Sequence, residues 1–118
     1  MSGPDTLADD PIVTDPDLYR VVLENEHVRV LEYRDKPGDA THTHHHPDSV
    51  MIPLAHFTRR LTVDDRHAEV TLEPLAVRWL DAQHHRGENI GATPTHALFV
   101  ELKDHRSDAG MRVPLGPR

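Results

Sequence analysis

Apolar residues in this 118-residue chain recur in short runs that alternate with polar residues, and turn-forming residues separate the runs. A two-residue period with β-branched and aromatic side chains is typical of strands that are buried on one face. No window of a helix's usual length has a 3.6-residue stripe. Seven or eight short strands indicate an all-β sandwich or barrel. The clearest runs predict strands at residues 20–23, 27–34, 49–54, 57–63, 67–72, 76–80 and 97–103.

The distribution of charge and proline divides the chain into three parts. Residues 1–17 carry five aspartates, three prolines and no basic side chain, which predicts a flexible acidic arm over residues 1–18. Residues 19–103 contain the strands and are predicted to form one β-barrel domain, since the chain is long enough for one core and short for two. Residues 104–118 are predicted to be a C-terminal tail.

The composition excludes several classes of function. The net charge of −7 argues against nucleic acid or an anionic membrane as a partner. The chain has no cysteine, which excludes disulfides, thiolate nucleophiles and zinc–thiolate sites. It has neither a membrane-length apolar run nor a signal-peptide pattern. We therefore expect a cytoplasmic protein with a small-molecule substrate, and a homodimer because exposed edge strands often pair.

The most informative segment places four imidazoles within residues 42–46, directly after a Pro-Gly-Asp turn. Imidazole is the commonest side-chain ligand for transition metals. Alternate side chains of a strand share a face, so His42, His44 and His46 are predicted to point one way and His45 the other. Two imidazoles on one face can bind one ion, provided that another strand supplies a third ligand.

That third ligand is predicted to be His84 or His85, about forty residues later and at the end of the strand at 76–80. Distant strands can converge on one cavity when a sheet closes into a barrel. The residues therefore indicate a metal site made from two separate segments.

Two motifs in this chain resemble those of the cupin superfamily. Gly38, five residues, His44, one residue and His46 match the start of the first cupin motif, G-x5-H-x-H. His85, three residues and Asn89 match the H-x3-N that closes the second motif. The motifs occur in order and within an all-β pattern.

The resemblance to small single-domain cupins covers about residues 21–103 and implies a double-stranded β-helix, or jelly-roll, barrel. It also implies a metal site formed by His44, His46 and His85. The glutamate that normally continues the first motif is missing, with Val50 and Met51 at the corresponding positions. Cupins without this glutamate bind iron through three histidines, so the resemblance still implies a metal.

Two alternatives remain in the choice of ligands. His42, His44 and Asp48 form a second register, H-x-H-x3-D, in which aspartate replaces the glutamate. The spacing from Gly38 favours His44 and His46 instead. In the favoured register, His42 would line the pocket or support a ligand, and Asp48 would fix an imidazole tautomer, as carboxylates near metal sites commonly do. The H-x3-N spacing favours His85 over His84.

Three further residues are candidates for the pocket. Gln83 is close enough in sequence to the second motif to contact substrate or to be solvent-exposed. Trp79 is predicted to be core, with the cavity wall as the alternative. Glu101 is expected either to face inward as an acid–base group or to pair with one of Arg59, Arg60 and Arg78.

Three neutral imidazoles with open positions suit Fe(II) first and also Zn, Ni, Mn or Cu, but not Mg or Ca. A neutral ligand set leaves the ion its full charge and favours an anionic or bidentate oxygen substrate. The resemblance thus implies a small metal-dependent enzyme that acts on a small oxygen-bearing metabolite, most simply a dioxygenase. An isomerase, cyclase or lyase is the second possibility, and a non-catalytic ligand-binding cupin the third.

Overall fold

A computed structural model describes residues 7–103 together with Leu115 and Pro117. Most of the described chain is strand, as the alternating pattern predicted. The predicted tail at residues 104–118 lies almost entirely outside the described residues. The described elements are a four-residue helix and nine strands: α1 (Pro11–Thr14), β1 (Tyr19–Glu24), β2 (Val28–Asp35), β3 (His44–His46), β4 (Ser49–Pro53), β5 (Phe57–Val63), β6 (Arg66–Leu72), β7 (Arg78–Leu80), β8 (Gln83–Asn89) and β9 (Thr95–Leu102).

The strands form two antiparallel sheets. One sheet has the order β1-β2-β9-β4-β7 and the other the order β3-β8-β5-β6. The chain passes from one sheet to the other between β2 and β3, β3 and β4, β4 and β5, β6 and β7, β7 and β8, and β8 and β9. Each sheet therefore contains strands that are distant in sequence, and a cavity between the sheets receives side chains from both ends of the chain. The all-β prediction is confirmed.

Strand β8 is the element that the sequence did not reveal. Its residues, Gln-His-His-Arg-Gly-Glu-Asn, include no apolar side chain, so the usual alternation is hidden. The buried positions of β8 are His85, Gly87 and Asn89, and these face polar partners rather than a hydrocarbon core. His85 consequently lies inside a strand of its own, and the prediction that it lies at the end of the strand at 76–80 is wrong.

The prediction of a flexible arm over residues 1–18 does not hold for residues 7–18, which pack against the barrel; residues 1–6 lie outside the described residues. Asp10 caps α1 by accepting a hydrogen bond from the backbone N of Ile12 (3.1 Å), and Pro11 is buried. Asp15 is buried and accepts a hydrogen bond from the backbone N of His42 (3.1 Å). The acidic composition alone predicts a solvated arm, because the partners that hold Asp10 and Asp15 in the fold lie far along the chain.

The apolar core is small and divided. Tyr19, Leu31 and Tyr33 form one cluster, and Phe57, Leu72 and Ala97 form another, with Phe99 packed against both. Much of the remaining interior is polar, which is uncommon for side chains such as Asp, Arg and His unless they are paired. This polar interior is where the candidate site lies.

Strand β1 is at the edge of its sheet, and its side chains at residues 21–23 are largely exposed although all three are apolar. An apolar edge is a template for pairing with another chain. The homodimer stays a prediction, with this edge as its expected contact. The helix that the described residues contain is far too short to cross a membrane.

Candidate metal centre

The pairing of β3 with β8 brings the two histidine segments together. His44 lies opposite His85 in the antiparallel register, and His45 lies opposite His84. His44, His46 and His85 are buried, and one ring nitrogen from each lies within 4.8 Å of the others. The rings of His45 and His84 instead contact each other on the opposite face, with centroids 4.7 Å apart. The structure thus brings together the ligand set of the favoured register.

Two of these imidazoles are oriented by oxygens that can only accept. The Nδ1 of His44 donates to the carbonyl oxygen of His42 (2.8 Å). The Nδ1 of His46 donates to the carboxylate oxygen Oε2 of Glu101 (2.9 Å). Because the proton is on Nδ1 in both rings, each neutral imidazole keeps a lone pair on Nε2.

The third imidazole is held in the same way by an amide. The Nδ1 of His85 lies 2.8 Å from Oε1 of Gln83. The amide nitrogen of Gln83 donates to the carbonyl oxygen of Asp81 (2.9 Å), which fixes the amide with its oxygen toward the ring. His85 therefore also carries its proton on Nδ1 and presents a lone pair on Nε2. Gln83 thus orients a ligand.

The hydroxyl of Tyr19 reaches the same point from β1. It lies 3.3 Å from Nε2 of His44 and 3.4 Å from Nε2 of His46. The ring of Tyr19 packs on that of Tyr33, with centroids 4.7 Å apart. Sequence reasoning missed Tyr19 because this residue belongs to neither motif and lies at the start of β1, far from the histidines in sequence. Only the stacking of the two sheets brings them together.

Burial lowers the pKa of His46 and of His85 to about 3 and lowers the pKa of His44 from its usual value. The three rings are therefore neutral at physiological pH. The Tyr19 hydroxyl can donate only one hydrogen bond, so it cannot satisfy the Nε2 lone pairs of all three imidazoles. A cation bound between the three rings would satisfy them. Neutral nitrogen donors fit a divalent transition metal and do not suit Mg or Ca, which prefer oxygen.

We expect metal binding to resist acid. A histidine with an ordinary pKa of about 6.5 loses roughly 25-fold in available neutral form between pH 7 and pH 5. In this site the depressed pKa values keep the neutral form present well below pH 6.5, so the affinity for Zn²⁺ should fall by less than about tenfold over that range. Competition titration with a chromophoric chelator at each pH measures this. A fall of a thousandfold or more would contradict it.

Glu101 faces inward and has a partner other than those predicted. It is 3 % exposed, and its Oε1 accepts a hydrogen bond from Nε of Arg29 (2.9 Å) on the neighbouring strand β2. Arg29 also pairs with Asp10 beside α1 (3.0 Å). Burial raises the pKa of Glu101, although Arg29 opposes this effect. Glu101 is thus committed to His46 and Arg29, and the predicted pairing with Arg59, Arg60 or Arg78 is wrong.

A cavity of about 260 Å³ opens beside the imidazoles, between the two sheets. His44, His85 and Tyr19 form part of its wall. Trp79 lies at the rim, 53 % exposed, and donates from Nε1 to Asp81 (2.7 Å), so the core placement predicted for it is wrong and the cavity-wall alternative holds. The rest of the wall is mainly apolar and includes Met51, Phe57, Leu61, Val70, Leu72, Leu80, Ala97 and Phe99.

Arg59, also on the wall of this cavity, forms a buried ion pair. Nη1 of Arg59 donates to the carboxylate of Asp35 and to Oγ1 of Thr95 (3.1 Å). Asn89, the last residue of the second motif, donates from Nδ2 to the other oxygen of Asp35 (2.9 Å). Burial disfavours the charge of Arg59, but the oxygens of Tyr33 and Asp35 raise its pKa overall, so the guanidinium stays charged.

Comparison with solved structures identifies this architecture. No family model and no curated protein matches the sequence. A cupin domain from Bordetella pertussis Tohama I is 25 % identical with a TM-score of 0.68 and covers 73 % of this chain and 92 % of its own. The chain has the cupin fold. An RmlC-like cupin with a double-stranded β-helix from Methanocaldococcus jannaschii is 14 % identical, with a TM-score of 0.60 and coverages of 72 % and 78 %.

The polyketide cyclase RemF from Streptomyces resistomycificus is another solved neighbour of this cupin. It is 17 % identical with a TM-score of 0.54, and the match covers 71 % of this chain and 63 % of RemF. At this identity the likeness concerns the fold. The jelly-roll architecture expected from the two motifs is thereby confirmed.

Two further candidate residues of this cupin lie outside the cavity: His42 supports a ligand through its backbone alone, and Asp48 contacts no imidazole. The ring of His42 is exposed and pairs with Asp15 (3.0 Å), so it does not line the cavity; its carbonyl supports His44 instead. Asp48 is exposed and accepts from the backbone N of Ala82 (2.9 Å). The prediction that Asp48 fixes an imidazole is wrong, because its side chain ties the start of β4 to the turn before β8.

Proposed function

We propose that this cupin is a metal-dependent enzyme acting on a small oxygen-bearing metabolite, and that its reaction is a dioxygenation. One observation carries the proposal: three buried imidazoles, each fixed through Nδ1, turn their Nε2 atoms toward one point beside the cavity between the two sheets. A divalent metal at that point, Fe(II) by preference and otherwise Zn, Ni, Mn or Cu, would supply Lewis-acid or redox activation of substrate and dioxygen.

The protein's own residues would hold the ligands still, bind the body of the substrate and exclude water. Glu101, Gln83 and the carbonyl of His42 keep the imidazoles in one tautomer and orientation, as supporting groups do in metal sites. Burial raises the pKa of Tyr19 strongly, so its hydroxyl stays protonated and can donate to a substrate oxygen. The apolar wall favours a compact substrate with few polar atoms.

The cavity wall contains no carboxylate among the described residues. Proton abstraction next to a carbonyl usually requires a positioned base such as Glu, Asp or His. Here the nearby carboxylate of Glu101 is already bound to His46 and Arg29, and the cavity histidines are the proposed ligands. Oxidation by dioxygen does not in every case depend on proton abstraction next to a carbonyl, so the missing base counts more against isomerisation than against dioxygenation.

An isomerase, cyclase or lyase is the second candidate. RemF, a neighbour in fold, is a polyketide cyclase. The Tyr19 hydroxyl, close to the imidazoles, is the proton donor that such a reaction would use.

Oxygen consumption distinguishes the candidates. The full-length chain is stripped of metal, reloaded with Fe(II) under anaerobic conditions and mixed with β-diketones, catechols or thiols in an oxygen electrode. We expect oxygen uptake that matches substrate loss, that is abolished in His44→Ala, and that is preserved in His45→Ala, its outward-facing neighbour. Turnover without oxygen uptake would replace the dioxygenase with the isomerase or lyase. Stoichiometric ligand binding without any turnover would show a binding protein and contradict the proposal.

A further inference from the structure

Arg59 is a buried cation with half of its guanidinium unused. The residue is 8 % exposed, and its Nη1 makes both of the hydrogen bonds that hold it, to Asp35 and Thr95. The Cζ atom lies 4.9 Å from the centroid of the Tyr33 ring, which covers one face. Nε and Nη2 have no hydrogen-bond partner among the described residues. A buried donor without a partner is costly, so a partner from outside the protein is expected.

The unused edge lies beside Gly87 on β8. A Cβ atom at Gly87 would be 2.5 Å from Nη2 of Arg59 and 3.3 Å from Nε. The guanidinium therefore occupies the space that an inward side chain of β8 would fill. Glycine at position 87 is what leaves room for it. Both Arg59 and Gly87 line the cavity.

The same strand face connects this edge to the proposed metal ligands. His85 and Gly87 are the adjacent inward positions of β8. Two residues along a strand span roughly 7 Å. A molecule of a few atoms in length can therefore reach the imidazoles with one end and the guanidinium with the other, while its body contacts the apolar wall.

We infer that Arg59 binds the carboxylate of the substrate, so that the substrate class is a small, largely apolar carboxylic acid with a second oxygen function at the imidazoles. That the bound acid is a substrate rests on the proposed function, whereas the binding of a carboxylate by Arg59 does not. Nε and Nη2 form a two-donor edge that matches the two oxygens of a carboxylate. Asp35 neutralises much of the charge of Arg59. The selectivity for a carboxylate therefore comes from hydrogen-bond geometry together with the positive charge that remains.

A purely structural Arg59 would behave differently. An ion pair with Asp35 that only stabilises the fold uses one edge of the guanidinium and gives the other edge no ligand to bind. Its replacement would lower stability without changing which small molecules enter the cavity. Ligand selectivity is therefore the property that separates the two roles.

The test compares benzoate with benzamide, which differ in charge but hardly in shape, by calorimetry on the full-length chain without metal and with Zn²⁺. The wild type should bind benzoate at least about tenfold more tightly than benzamide in both states, as expected for a charge-assisted pair. Arg59→Lys keeps a cation for Asp35 but removes the two-donor edge, and should abolish the preference. Arg60→Lys, the same change on the outward face of β5, should leave it intact.

Two further variants complete the design. Gly87→Ala retains both charges and displaces the guanidinium edge, so it should lose the preference even if Arg59→Lys proves unstable. Arg78→Lys changes the other arginine of the cavity wall, which is exposed at the rim, and should keep the preference.

Three outcomes would each overturn the inference. The wild type could show no preference for benzoate over benzamide, the preference could survive both Arg59→Lys and Gly87→Ala, or it could be lost in Arg78→Lys. Binding of Zn²⁺ is measured alongside and should be unchanged in Arg59→Lys. Failure of the wild type to bind any metal would overturn the proposed function and leave the carboxylate result to stand by itself.

Discussion

Replacing His44 and His85 together by alanine is expected to abolish stoichiometric binding of a divalent transition metal. The two substitutions remove two of the three Nε2 atoms that converge in the cavity, and His46 alone cannot hold an ion against water. Structural zinc sites gain roughly 10–16 kcal/mol from a full set of ligands, so the loss of two ligands should weaken Zn²⁺ binding by at least about a thousandfold. Elemental analysis and a competition titration measure the change.

The chain provides a closely matched control for this experiment. His45 and His84 are the next residues on the same two strands and lie opposite each other in the same register. Their rings face outward and contact each other. The variant with alanine at both positions removes the same number of imidazoles and should keep its metal. If the inner and outer variants retain equal amounts of metal, the three-histidine centre does not exist.

The strand pattern and the two motifs were visible in the sequence because both depend on local spacing. Alternation revealed most strands, and the spacing from Gly38 selected His44 and His46. Spacing could not decide which carboxylate, Asp48 or Glu101, orients an imidazole. Asp48 is two residues from His46 in sequence, yet its side chain turns outward. Glu101 is far away in sequence but lies beside Ser49 in the pairing of β9 with β4, on the inward face.

Tyr19, Arg29 and Asp15 were missed for a related reason. Each belongs to the first thirty residues, and each acts on a histidine segment through the packing of one sheet on the other or through the fold of the N-terminal segment. Asp15, for example, holds the backbone N of His42, whose carbonyl then orients His44. A contact of this kind exists only after the sheets have closed, so no spacing rule in the sequence indicates it.

The interior of this cupin contains two charged networks. Glu101 and Arg29 support the imidazole of His46, and Asp35 pairs with Arg59 of the cavity wall. Buried ion pairs are often no more stabilising than apolar residues of similar volume. Their presence in so small a core is therefore better explained by what they position than by stability. Breaking one should nevertheless be costly, because the remaining charge stays buried.

Asp35→Ala should accordingly be the most destabilising single substitution in these two networks. Asp35 accepts hydrogen bonds from the hydroxyl of Tyr33 (2.5 Å), from Arg59, from Nδ2 of Asn89 (2.9 Å) and from the backbone N of Thr95 (3.1 Å). Its removal leaves these donors without an acceptor and leaves Arg59 charged in the interior. Removal of one partner from a buried pair costs about 3–5 kcal/mol. Urea denaturation followed by circular dichroism measures the free energy of unfolding.

Glu69→Ala is the matched control, because it breaks an ion pair made from the same strand but on its outer face. Arg60 and Glu69 are 3.0 Å apart, with 42 % and 58 % of their side chains exposed. Exposed pairs contribute about 0–1 kcal/mol, since water solvates both charges when the pair is broken. Asp35→Ala thus breaks the buried ion pair of Arg59, and Glu69→Ala breaks the exposed ion pair of the neighbouring Arg60. The two variants compare the same kind of interaction with and without solvent. Equal losses in the two variants would mean that water reaches Asp35, contrary to its burial in the structure.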